Sequence, residues 1–310
     1  MKKLLFAIPL ALLLCGCHDS TNLGSRAIIQ AAALDYDRGE YTVSALLFSS
    51  GGGSDTVDAS QENVIKVTGT GDTLGAAIED LSLTDGKKIL MSETKLLIFG
   101  GGFEEADVIS AANTLYHDLR CSLNMPVCCA ERASMLTDMH FTEGITSAEK
   151  PVEMIRNAYE KGVSPNATLM DILSDSAGGR STLIPMFTQQ QNGYGMTADE
   201  NGKTAVLCGA RFVSSGHLAE KTDPEETIGF MLLSGRADKM PLSFVYDGRE
   251  YSCDASGIKT ETLRVARSAD VRVSAKLRSR SGAALPEGAQ RTALEYLEEL
   301  ARKALFSGKG

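Results

Sequence analysis

The chain has 310 residues, with 31 Lys+Arg against 40 Asp+Glu, 7 Cys, 8 Pro and no Trp. A content of 43% hydrophobic and 23% charged residues fits a chain that buries a core and excludes a disordered polyampholyte. The net charge of −9 speaks against a reader of nucleic acid or anionic membrane, which needs clustered Lys and Arg. The cysteines show no regular disulfide framework.

Met1-Lys2-Lys3 is a basic start, and Leu4 to Gly16 is an apolar run shorter than the roughly 20 residues of a membrane helix. It ends in Leu14-Cys15-Gly16-Cys17, before polar His18-Asp19-Ser20, which has the form of a bacterial lipobox. Lipidation needs a thiol at the membrane surface, preceded by a small residue. Cys17 after Gly16 satisfies this, whereas Cys15 would follow Leu14. Residues 1–16 are therefore expected to be a lipoprotein signal peptide and Cys17 the lipidated first residue of the mature chain. Losing Lys2 and Lys3 takes the charge from −9 to −11. An acidic ectodomain is repelled by an anionic membrane within about one Debye length, so the lipid, not surface charge, is expected to hold it there. Cys121, Cys128, Cys129, Cys208 and Cys253 remain, an odd number that cannot all pair within the chain.

Arg26 to Leu34 and Tyr41 to Phe48 read as a β-hairpin around Asp35–Glu40, and Glu62 to Thr68 as a third strand. Asp72 or Thr73 caps a helix whose Leu74, Ala77, Ile78 and Leu81 share one face. Lys95 to Phe99 is a short apolar strand. Gly100-Gly101-Gly102 turns the chain into a second helix from about Glu104 to Tyr116, with Ala106, Ile109, Ala112 and Leu115 inward. Val127 to Ala130 reads as a strand and Arg132 to Leu136 as a short helix. Another helix contains Met154 to Ala158, and Asn166 caps one running to Leu173. Thr182 to Phe187 is a strand. The alternation implies an α/β layer over residues 17–187.

The polar, Gly-rich stretch 188–204 is expected to be a linker. A strand-rich domain over 205–310 follows. Its strands are placed at Ala205–Val213, Ile228–Leu233, Leu242–Tyr246, Glu250–Ile258, Thr260–Ala266 and Asp270–Leu277. A final amphipathic helix opens at Pro286, with Leu294, Leu297, Leu300, Ala301, Ala304 and Leu305 on its apolar stripe. The fold class is thus a multi-domain α+β ectodomain behind a lipoprotein signal peptide.

No residues present a known catalytic pattern. His18, His117, His140 and His217 lack metal-ligand spacing, so neither metal nor cofactor is expected. On a strand, adjacent Cys128 and Cys129 face opposite sides, which suits burial rather than chelation. Ser92-Glu93-Thr94-Lys95 has the S-x-x-K spacing of penicillin-recognising enzymes. It runs into a strand rather than a helix, however, and lacks the companion triplets. The Gly100–Gly102 turn leads into a helix, but Glu104 and Glu105 occupy the place of a phosphate.

Several segments together resemble one family. Gly16-Cys17-His18-Asp19 is similar to the Gly-Cys-Trp-Asp lipobox of the Ger(x)C proteins, the C subunits of nutrient germinant receptors in spore-forming bacteria. Arg26 to Asp35 and Tyr41 to Phe48 resemble that family's first paired strands, Gly69 to Leu81 its Gly-rich approach to the first helix, and Lys95 to Gly100 the following strand. Gly216-His217-Leu218 with Glu226-Thr227-Ile228-Gly229 resembles its Gly-aromatic-Leu and Glu-Thr-x-Gly segments. His18 departs from the family's Trp. Members usually continue with further strands after the last long helix, so the C-terminal domain is expected to be a shortened one.

The resemblance implies a non-enzymatic subunit anchored through Cys17 on the outer face of the cytoplasmic (spore inner) membrane. Its implied partners are membrane-embedded A- and B-type germinant receptor subunits, with no nucleic acid. Two other classes compete. One is a substrate-binding lipoprotein of a transporter, which would repeat two similar lobes. The other is an anchored hydrolase using Ser92 and Lys95.

Overall fold

A computed structural model describes residues 26–48, 64–139, 148–190, 204–265 and 268–308. The signal segment, Cys17, His18 and His140 lie outside the described residues.

β1 (Arg26–Asp37) and β2 (Glu40–Phe48) form the expected antiparallel hairpin, with Ala32 opposite Ala45. β3 (Val64–Gly71) adds to β2 at the sheet's edge. α1 (Leu74–Asp85) is capped by the Thr73 side chain and buries Leu74, Ala77, Ile78 and Leu81. β4 (Lys88–Leu90) and β5 (Leu96–Phe99) then run parallel to β1. The second helix starts later than Glu104. The glycines enter a 3-10 turn (Gly101–Glu104), and Asp107 caps α2 (Val108–His117) by accepting from the Ile109 and Ser110 amides. Val108 and Ala111 therefore join Ala112 and Leu115 in the core, while Ile109 is only half-buried.

β6 (Pro126–Ala130) lies parallel to β5 and is followed by α3 (Ser134–Thr137) and α4 (Glu149–Glu160). β7 (Ala167–Thr168) pairs with β6 and leads into α5 (Leu169–Ala177). Thr168, not Asn166, caps α5, through a reciprocal box with Asp171. β8 (Thr182–Gln190) pairs parallel with β6 and antiparallel with β9 (Thr204–Ser214), and β10 (His217–Thr222) returns beside β9. The main sheet therefore runs β10-β9-β8-β6-β5-β1-β2-β3, with β4 beside β1 and β7 beside β6.

This topology corrects the expected linker. Residues 188–190 and 204 are strand, and residues 191–203 lie outside the described residues. The segment 188–204 joins two neighbouring strands of one sheet, because Gln190 pairs with Thr204. The sheet continues to Thr222, and the change of unit falls there.

Both faces of the main sheet are covered. Ala32, Leu34, Leu97, Phe99, Val127 and Cys129 enter a core with α1, α2 and α5. Ala31, Ala33, Leu96, Ile98, Cys128 and Ala130 enter a second core with α3 and α4. Cys128 and Cys129 do face opposite sides, and both are fully buried.

The expected strand Ile228–Leu233 is instead part of a helix, α6 (Pro224–Leu233). Pro224 occupies its first turn, and Asp223 and Glu226 form a capping box. A short apolar run cannot by its period distinguish a strand from a buried helix, so these start signals decide. β11 (Lys239–Tyr246), β12 (Arg249–Val265) and β13 (Ser268–Ser279) form a separate antiparallel sheet. β12 unites the two expected segments around an irregularity between Ser256 and Lys259. α6 and the terminal α7 (Glu287–Phe306) cover one side, burying Met231, Leu232, Met240, Leu242, Val271, Val273, Leu297 and Leu300.

Gly229 is the contact point of α6 and α7. A Cβ there would lie 2.2 Å from the Leu300 carbonyl oxygen, so only glycine permits this approach. α6 also joins the units. Phe230 meets Phe212 edge-on at 4.9 Å, and the Thr227 and Thr222 hydroxyls lie 2.7 Å apart.

Candidate functional site

Ligands of open α/β sheets generally bind beyond the C-terminal ends of parallel strands. Here the parallel pairing of β1, β5 and β6 stops at one level, with Leu34, Phe99 and Cys129 in register, while β1 runs on beside β2. Asp35, Gly100 and Glu131 lie just beyond this level.

The chain fills this crevice with its own groups. Asp35 Oδ1 accepts from the Ala133 amide at 2.7 Å, and Oδ2 from the Ser134 amide at 3.0 Å. The carboxylate thus takes the amides at the start of α3, where an external anion would otherwise sit. Gly100 donates to the Leu34 carbonyl at 2.8 Å and Gly101 to the Glu131 carbonyl at 3.0 Å. A Cβ on Gly100 would fall 2.1 Å from Asp35 Oδ1, and one on Gly102 1.8 Å from the Tyr36 carbonyl oxygen. The three glycines let strand ends close on one another, and they cradle protein rather than phosphate.

Beside this closed crevice, Arg211 of β9 is buried, with only 4% of its side chain exposed. Its guanidinium donates to the Ala219 carbonyl at 2.8 and 2.6 Å and to Glu104 Oε1 at 2.7 Å. A buried cation requires such partners. Lys221 Nζ donates to Glu131 Oε1 at 2.5 Å, and this bond holds the Glu131 carboxyl below its usual range. An open pocket of about 500 Å³ lies along Glu104, Arg211 and Leu218 to Lys221. These ion pairs lock the 3-10 turn, β6 and the β9–β10 hairpin together.

Three of the thiols are enclosed by apolar surroundings. Burial pushes Cys121 and Cys129 up to about 12 and Cys128 well above its ordinary value, so none supplies thiolate near neutrality. Ser92 and Lys95 are not brought together as a catalytic pair on a helix. Ser92 lies in a turn before β5, and Lys95 Nζ donates to Glu149 Oε1 at 2.6 Å. His217 Nδ1 lies 3.2 Å from the Ala106 carbonyl oxygen, and His117 packs against Tyr116. Among the described residues, no group of three His, Cys, Asp or Glu could hold a metal, and no helix is long and apolar enough to cross a membrane.

Two structural residues escaped the sequence reading. Asp35 stood there as part of a polar turn, and nothing local reveals a partner 98 positions away. Arg211 left a usable signal, since it is a charge inside the apolar strand Ala205–Val213.

The family model described as "Spore germination protein N-terminal domain" matches residues 19–189. Its end precedes β9 and β10, which complete the same sheet. The solved structure titled "Crystal Structure of the GerBC protein" is similar at 16% identity, over 88% of this chain and 80% of that one, with a TM-score of 0.48. No curated protein matches the chain.

Proposed function

Because the chain belongs to the Ger(x)C spore germination proteins, whose N-terminal domain model spans more than half of it, we propose that it is the lipid-anchored C subunit of a nutrient germinant receptor. In this reading Cys17 carries the lipid and tethers the ectodomain to the outer face of the spore inner membrane. Membrane-embedded A- and B-type subunits are its partners, and it acts by contact, helping to assemble or stabilise the receptor without catalysis.

The observation that carries the non-catalytic reading is the Asp35 carboxylate on the α3 amides. The position where an α/β sheet would take a ligand is spent on internal cohesion. The two units also differ in architecture, unlike the repeated lobes expected of a transporter's binding lipoprotein.

Gene deletion with complementation tests the proposal. Spores lacking the gene are expected to lose germination to at least one nutrient. Wild-type protein should restore it and Cys17→Ala should restore it poorly, with mass spectrometry reporting whether Cys17 carries lipid. Normal germination of the deletion to every nutrient, in a strain without paralogues, would overturn the receptor role. Unlipidated Cys17 would overturn the anchor.

A further inference from the structure

The chain is acidic overall, yet the uncovered side of its smaller sheet is basic. Strand pleating sorts β11–β13 into two faces. Met240, Leu242, Cys253, Ala255, Val271 and Val273 point at α6 and α7. The aromatics of these strands keep to that side as well, since Phe244 and Tyr251 are half-buried and stacked 6.0 Å apart. Lys239, Lys259, Arg272, Lys276, Arg278 and Arg280 are exposed on the other side.

The register sets these cations beside one another rather than scattering them. Lys239, Ser256 and Lys276 form one cross-strand row, Pro241, Asp254 and Arg278 the next, and Lys259 stands opposite Ser274. Three carboxylates share the face. Asp254 accepts from Arg280 Nε and Nη2 at 2.9 and 2.6 Å, Glu261 stands opposite Arg272, and Glu250 opposite Val245. Among the described side chains cations therefore outnumber these acids by six to three, and Asp270, which the pleat sets on the same side, is paired with Arg302 of α7. The helical side of the same unit is acidic, with Asp223, Glu225, Glu226, Glu287, Glu295, Glu298 and Glu299 against Arg291, Arg302 and Lys303.

We infer that the outer face of the β11–β12–β13 sheet lies against anionic lipid headgroups and orients the ectodomain on the bilayer. The inference rests on the membrane placement proposed above. Three features favour a bilayer over an acidic protein surface. The face is a broad sheet lined with short Ser243, Ser252, Ser256 and Ser274 between the cations. It carries no aromatic anchor of the kind that centres protein interfaces. Its charge also opposes that of the helical side, so a negative plane would turn the unit to one orientation. The expectation that the lipid alone positions an acidic ectodomain is thereby narrowed: the lipid tethers it, and this face sets its attitude.

The test uses the full lipidated chain with Ser274→Cys carrying a fluorescent donor, on vesicles with an acceptor in their headgroups. The parent chain with Ser274 intact, treated identically, is the labelling control. One set of vesicles is phosphatidylcholine, and the other contains about one third phosphatidylglycerol. Energy transfer is expected to rise several-fold on the anionic vesicles and to fall back at about 1 M salt, where the Debye length shrinks to about 3 Å. Lys276→Glu with Arg278→Glu should abolish the rise, and Lys276→Gln with Arg278→Gln should reduce it, with unchanged circular dichroism. Equal transfer on both membranes, or a rise that survives charge reversal, would overturn the inference. A charge reversal that removes a co-purifying acidic protein but leaves transfer unchanged would overturn it in favour of a protein partner. Flotation on phosphatidylcholine reads the anchor separately. A chain that fails to float there refutes the anchor, while its transfer on anionic vesicles still judges the face.

Discussion

In the large sheet, Leu96 and Leu97 are neighbours in sequence and enter different cores. In the small sheet Val273 is buried and Ser274 faces outward. A strand covered on both sides by helices has no polar face, so LLIF and PVCCA read as continuous apolar runs. A strand covered on one side alternates, and its other face is free to carry chemistry. The large sheet consequently spends both faces of its central strands on apolar cores, whereas the small sheet has a surface whose charge can differ from that of the whole molecule.

That contrast can be broken at chosen points. Phe99→Ala should have the largest effect. Phe99 is fully buried and meets Phe103 edge-on at 4.8 Å, so truncation should cost about 3–5 kcal/mol. Chemical denaturation would measure it, and a loss below about 1 kcal/mol would mean the core collapses around the site. Gly229→Ala should cost about 1–3 kcal/mol by forcing α6 from α7. Its damage should stay in the smaller unit, as faster hydrogen exchange in α6, α7 and β11–β13 with α1 and α2 unaffected. Asp35→Ala orphans two amides and should cost about 1–2 kcal/mol. If the crevice is only a structural closure, that variant should gain no small-molecule affinity.

The smallest effect is with pH and should fall on the smaller unit. Burial raises the Asp223 carboxyl, but the Glu226 amide and Lys303 outweigh this and hold it below the usual range. The Arg302 side chain, which donates to Asp270 at 2.9 Å, lowers that carboxyl too. A carboxyl with a depressed folded value stabilises the fold above its unfolded value and loses that contribution as pH falls through the folded one. Both groups contact α7 residues, so the smaller unit loses two such contacts below about pH 4 against the single Glu131–Lys221 pair of the large unit, and should loosen first. Hydrogen exchange of α7 between neutral pH and that range would check this, and first opening in the large sheet would contradict it.

The same contrast explains what could be read from sequence. The β1–β2 hairpin and α1 were legible because alternation, caps and the Leu74–Leu81 stripe are local signals. The run Ile228–Leu233 misled because its helical start lies upstream, at Asp223-Pro224-Glu225-Glu226. The 188–204 stretch looked like a linker because polar, Gly-rich composition does not reveal that its flanking strands pair. The basic face was hidden by net charge, which sums over the chain, whereas the pleat collects Arg272, Lys276 and Arg278 on one side. Asp35 acts through a contact between distant segments, and Cys17 remains a sequence inference from the lipobox.

The role proposed for this chain is contact within a membrane receptor. Its most direct test is affinity purification of the full tagged chain from detergent-solubilised spore inner membranes, followed by mass spectrometry. Stoichiometric recovery of one A-type and one B-type membrane subunit is expected. Recovery of the chain without either subunit, from membranes in which both are detected, would contradict it.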